Sequence, residues 1–87
     1  MPIAQVHTFK RPDAATSADL LRRAVVAYMQ AGGDMPDASR SGVRMLKGLG
    51  YVVLWDAGGD VVAVYRIRPD NLALRRMKRW PAMVTRR

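Results

Sequence analysis

The 87 residues contain no cysteine, no glutamate, one histidine and one phenylalanine. Without cysteine, disulfides, thiolate metal sites and thiol catalysis are all excluded. The seven acidic residues are aspartates, mostly in turn-like or cap-like contexts, so no carboxylate pair is spaced for acid–base work. His7 has no cysteine or carboxylate close by in the sequence, which suits a surface or packing residue better than a ligand or a base. The glycines mark turns, and none forms a phosphate-cradling loop ahead of a helix. The apolar runs are strand-sized, too short to span a bilayer. The N-terminus also lacks the basic start and apolar run of a signal peptide. These absences predict a cytoplasmic protein with no catalytic set, no metal, no cofactor and no membrane partner.

Positive charge is abundant, and its placement is uneven. The net charge is +8, with twelve arginines against three lysines. Residues 66–87 hold eight basic side chains against Asp70 alone, a balance of +7, while the first 65 residues contribute only +1. Half of the composition is apolar (49%), too much for a disordered tail. A single small domain over residues 1–87 is expected.

That domain is organised around Tyr51 to Ile67, YVVLWDAGGDVVAVYRI. Two β-branched and aromatic runs flank Gly58-Gly59, a strong hairpin signal. A two-residue turn there pairs Trp55 with Val62, Val53 with Val64 and Tyr51 with Arg66. Val52, Leu54, Ala63, Tyr65 and Ile67 then share the other face. Both faces are apolar, so the hairpin needs cover on both sides, from flanking elements or from a second copy in a homodimer.

Around the hairpin, residues 1–15 read as an extended arm in which Ile3, Val6 and Phe9 alternate poorly. A helix is expected over 16–31, opened by Thr16 with Asp19 three residues on and closed by Gly32-Gly33. Its stripe is Leu20, Leu21, Ala24, Val25, Tyr28 and Met29, with Arg22, Arg23 and Gln30 facing out. Residues 43–47 read as a first strand, with LKGLGY as a tight link, giving a meander over 43–68. Pro69-Asp70-Asn71 is a turn. The segment 71–80 fits a helical period better, with Ala73, Leu74, Met77 and Trp80 opposite Arg75, Arg76, Lys78 and Arg79; a strand continuing the meander is the alternative. The tail 81–87 reads as frayed. The fold class is therefore α+β: an N-terminal helix on an antiparallel β-meander of three strands, or of four, followed by a basic helix or strand.

The run GYVVLWDAGGDVVAVYRIRPDNLALRRMKRWP resembles the C-terminal half of small basic proteins of unknown function encoded on proteobacterial prophages and plasmids. Their pattern is YVVL, a tight turn, VLAVYRV, a second turn and LKRLKRWP. The second turn in such proteins is often Asn-Asp-Gly, which implies a further hairpin, whereas here it is Pro-Asp-Asn. The resemblance implies a mobile-element origin and carries no activity.

Three functions suit these features. The leading one is nucleic-acid binding, DNA or RNA, with Arg66, Arg68, Arg75, Arg76, Lys78 and Arg79 on phosphates and Tyr65 and Trp80 stacking on bases. The second is a phage or plasmid inhibitor that docks on an acidic host protein or a nucleoprotein complex through the same arginines. The third is a ribonuclease toxin resembling the RelE type, with Arg44, Lys47, Tyr65 and Arg66 on the sheet.

Overall fold

The computed structural model describes residues 10–86. The residues 1–9 of the expected arm, His7 included, lie outside the described residues. Helix α1 spans Ala14–Gln30 and is followed by strands β1 (Gly42–Leu46), β2 (Leu49–Trp55), β3 (Val61–Ile67) and β4 (Leu74–Arg76). A 3-10 turn, Ala82–Thr85, closes the order. The sheet is antiparallel with the order β1-β2-β3-β4. The α+β meander is thus present with its fourth strand.

Helix α1 starts two residues earlier than the Thr16 signal suggests. Asp13, not Thr16, is the N-cap: its carboxylate accepts the Thr16 N–H at 2.8 Å. Asp19 instead pairs with Arg22 (2.6 Å) and lies 3.1 Å from Arg23 Nε, the latter not aligned as a hydrogen bond. At the other end, Gly33 N–H donates to the Tyr28 carbonyl and Gly32 N–H to that of Met29, both at 3.0 Å, with Gly32 at φ +99°. That is the Schellman arrangement, which requires a left-handed residue where Gly32 stands. Leu20, Ala24 and Val25 are buried under the helix, whereas Met29 faces solvent.

Two cores result, one on each face of the sheet. Val52, Leu54, Ala63, Tyr65 and Ile67 pack against Leu20, Ala24 and Val25 of α1. Tyr51, Val53 and Val64 form the second core with Val84, and Trp55, Met77 and Trp80 pack around it. The segment after β4 therefore folds back over the face that the helix leaves bare. The tail is not frayed at this point: Val84 is 1% exposed. The need for cover on both faces is met within one chain.

The turns differ from expectation in chemistry. Lys47 (φ 50°) and Gly48 (φ 76°) link β1 to β2 between the partners Leu46 and Leu49. Positive φ at both central residues marks the two-residue primed turn of a tight hairpin. At β2–β3 only Gly59 has positive φ (89°), and Gly59 N–H donates to the Asp56 carbonyl at 3.1 Å. The loop is the three-residue Ala57-Gly58-Gly59, with Asp56 N–H donating to the Asp60 carbonyl at 2.9 Å. Tyr51–Arg66 and Val53–Val64 pair as expected, but a bulge shifts Trp55 onto Val61 in place of Val62. One extra residue on β3 sends Val62 to the helix-covered core and Val61 to the other.

The helical reading of 71–80 is not what forms. Leu74–Arg76 joins β3 in the register Tyr65–Arg76, Arg66–Arg75, Ile67–Leu74. Arg68 N–H donates to the Ala73 carbonyl and Leu72 N–H to the Arg68 carbonyl, both at 2.9 Å, closing the 69–71 turn. Leu72 sits at φ +59° and its carbonyl accepts from Arg23 Nη2 at 3.0 Å. An extended edge satisfies β3, whose backbone would otherwise be half unpaired, and that outweighs local helix period in so short a segment.

Candidate nucleic-acid interface

Strand alternation sorts the cations by face. On the side away from α1, a row crosses the sheet as Arg44, Tyr51, Arg66 and Arg75, each the register partner of the next. Tyr51 is buried and Arg44 half-buried, while Arg66 and Arg75 are exposed. On the helix side, Arg76 follows Tyr65, and its guanidinium lies 5.4 Å from the Tyr28 ring centre. The expected block of cations on one helical arc is thus divided: Arg75 faces one way and Arg76 the other. Lys78 and Arg79 follow β4 after Met77 and are exposed.

Two adjoining hollows contain most of the expected site. Arg66, Arg68, Pro69, Asp70 and Arg75 line one at the β3–β4 turn. Arg66, Arg75, Arg76, Met77, Lys78 and Arg79 line the other, five cations with no acid among them. Among the described residues, Arg68 alone of these cations has an acidic partner, Asp70 Oδ1 at 3.4 Å. Arg68 and its own backbone hold the Asp70 carboxyl below the ordinary aspartate range, the backbone hydrogen bond leading.

The expected aromatic contribution is smaller than proposed from the sequence. Tyr65 is 4% exposed on the helix side, where burial pushes its phenol above the ordinary value against the opposing pull of Arg76. Tyr65 is therefore a core residue and not a stacking platform. Trp80 is half-buried against the second core and offers only part of its ring. The same geometry separates the ribonuclease-like set. Arg44 and Arg66 flank Tyr51 on one face, Tyr65 is buried on the other, and Lys47 sits in the β1–β2 turn.

Sequence reasoning missed Lys10 and Arg11. They line a hollow with Asp13, Pro69 and Leu72, which places two more cations and one acid beside the β3–β4 turn. Their separation from the C-terminal cluster in sequence gave no sign of this. Charge is also graded along the strands. The β2–β3 turn carries Asp56 and Asp60, whereas the opposite end carries Lys47 and Arg68 beside Asp70. Among the described residues, no group of acids and histidine is arranged to hold a metal ion, and no helix is long and apolar enough to cross a membrane.

Set against known protein families, curated proteins and solved structures, the chain shows no match.

Proposed function

We propose that this protein binds nucleic acid through the face and edge built by β3, β4 and residues 77–79. One observation carries the reading: a hollow with Arg66, Arg75, Arg76, Lys78 and Arg79 in its wall and no acid to offset them. Cations concentrated without internal partners repel one another and attract a polyanion, and phosphate supplies that charge along a continuous track. The edge position of β4 supports the reading, because among the described residues no strand pairs beyond it. Trp80 adds an aromatic flank, although contact with phosphates would dominate affinity over base reading.

The testing variant is Arg75→Gln with Lys78→Gln and Arg79→Gln, leaving Arg76 on Tyr28. Anisotropy titrations with random-sequence RNA, single-stranded DNA and duplex DNA should show wild-type binding that weakens with salt. In the triple variant the slope of log K against log salt should shrink by about 0.9 for each lost duplex phosphate contact, or about 0.7 on single strands. A wild type that binds none of the three probes at low salt refutes the reading. If the wild type retains an acidic protein instead, the basic face serves the inhibitor role.

A further inference from the structure

We propose that Arg66 and Arg75 form a clamp that holds a single backbone phosphodiester between their guanidinium groups; the clamp rests on the nucleic-acid reading above. The two residues are direct partners across β3 and β4. Met77 N–H donates to the Val64 carbonyl and Arg68 N–H to the Ala73 carbonyl, both at 2.9 Å. These bonds fall two residues to either side, so the period of the ladder makes Arg66 and Arg75 a hydrogen-bonded pair with Cα atoms about 5.5 Å apart. Their side chains leave the same face of the sheet and are both exposed.

Such a pairing is unfavourable by itself, since like charges directly opposite on a sheet destabilise it. Arg22, Arg23, Arg40 and Arg68 each have an aspartate oxygen within 3.4 Å to offset their charge. Among the described residues, Arg66 and Arg75 have no such partner. They are also the two residues common to both basic hollows. An anion seated between them occupies the junction, with one hollow on each side for the chain that continues from it. The chemistry fits a phosphodiester. Its two non-bridging oxygens share one negative charge, and each can accept from one planar guanidinium fork. Lys78, a point charge, and Arg79, a further fork, then meet a neighbouring phosphate beyond the strand.

Sharing one phosphate makes the two arginines interdependent, which separates a clamp from two independent contacts. The experiment is a double-mutant cycle of Arg66→Gln and Arg75→Gln, read by anisotropy with labelled single-stranded RNA, single-stranded DNA and duplex DNA over a salt series. Each single variant should lose most of the affinity that the double variant loses. The double variant's salt slope should fall by one phosphate's worth, about 0.9 on duplex or 0.7 on single strands. Arg66→Lys with Arg75→Lys, which keeps the charge and the fold, should fail to restore the wild-type affinity because the fork is gone. Additive losses, with the slope falling by about 1.8 or 1.4, overturn the clamp and leave nucleic-acid binding standing. Full binding by the lysine pair also overturns it. A wild type that binds no probe removes the clamp and the underlying reading together.

Discussion

The Arg76 guanidinium lies 5.4 Å from the centre of the Tyr28 ring, tying the edge strand β4 to the end of α1. Its neighbour Arg75 points to the opposite face and faces Arg66. Two adjacent arginines therefore have opposite effects on folding. Arg76→Gln should destabilise the protein by about 0.5–1 kcal/mol, the range for an exposed cation–π contact. Arg75→Gln should leave the urea midpoint unchanged or raise it, because it removes a like-charge pair. Equal losses from both variants would show that the alternation of β4 is wrong.

Gly33 supports the same Tyr28. A Cβ at this position would run into the Tyr28 ring, contacting Cε2, Cζ and Cδ2. Gly33→Ala should displace the ring and uncouple Arg76, leaving the Gly33 N–H to Tyr28 carbonyl bond in place. The check is a thermal double-mutant cycle with Arg76→Gln: the Arg76 loss should vanish in the Gly33→Ala background.

The two β-turns predict contrasting glycine effects. Gly59 is at φ 89°, so Gly59→Ala should cost about 1–2 kcal/mol, the penalty of a left-handed Cβ. Gly58 lacks positive φ, and a Cβ there meets only Asp56 Oδ1 at 3.4 Å, so Gly58→Ala should be near neutral. Lys47, at φ 50°, carries a strain that Lys47→Gly should relieve by up to about 1 kcal/mol. Urea midpoints of the three variants rank the turns directly.

These turns show where the sequence was legible. The β-branched and aromatic runs over 51–55 and 61–67 reveal both strands, because such residues on either side of a Gly-Gly pair mark a hairpin. The Gly-Gly pair marked the loop but not its geometry, since a three-residue loop with one left-handed glycine uses the same residues as a primed turn. The primed turn instead uses Lys47, whose side chain gives no hint of positive φ. Over 74–76 a three-residue strand is too short to show its period, so the basic segment read as a helical arc. That misreading put Arg75 and Arg76 on one surface. The cations of the site were legible as charge; their division between faces was not, and neither was the burial of Tyr65, set by α1 lying over it.

Acid should unfold the helix end first. Asp13 is held below its ordinary value of 3.8, chiefly by the Thr16 backbone N–H. Asp19, Asp37 and Asp70 are depressed as well, by Arg22, by Ser39, and by backbone hydrogen bonding respectively. A depressed carboxyl contributes stability that is present above the ordinary value and is lost as pH falls through the folded one. Helical circular dichroism should therefore hold down to about pH 4 and decline below it. Asp13→Asn keeps an acceptor at the cap without the titration and should flatten the decline. An equally steep decline in that variant would place the acid sensitivity elsewhere.

The second core offers the most selective test of the fold. Val84 is buried against Tyr51, Val53 and Val64, and both tryptophans, Trp55 and Trp80, pack around that cluster. Tryptophan emission therefore reports on this face, while helical circular dichroism reports on α1 across the sheet. Val84→Ala should cost about 1.5–2.5 kcal/mol, two buried methyl groups plus the cavity they leave. Val84→Asp should go further, because a carboxylate cannot be buried there without a partner, and the segment after β4 should detach. The expected signature is a red shift in emission with the helical signal kept, since Leu20, Ala24 and Val25 remain packed on the other face. Detachment uncovers Tyr51, Val53 and Val64, so the variant should also gain mass by light scattering as the bare faces associate. An unshifted emission spectrum in Val84→Asp would show that residues 82–85 do not close the sheet, and that the second face is covered by something else.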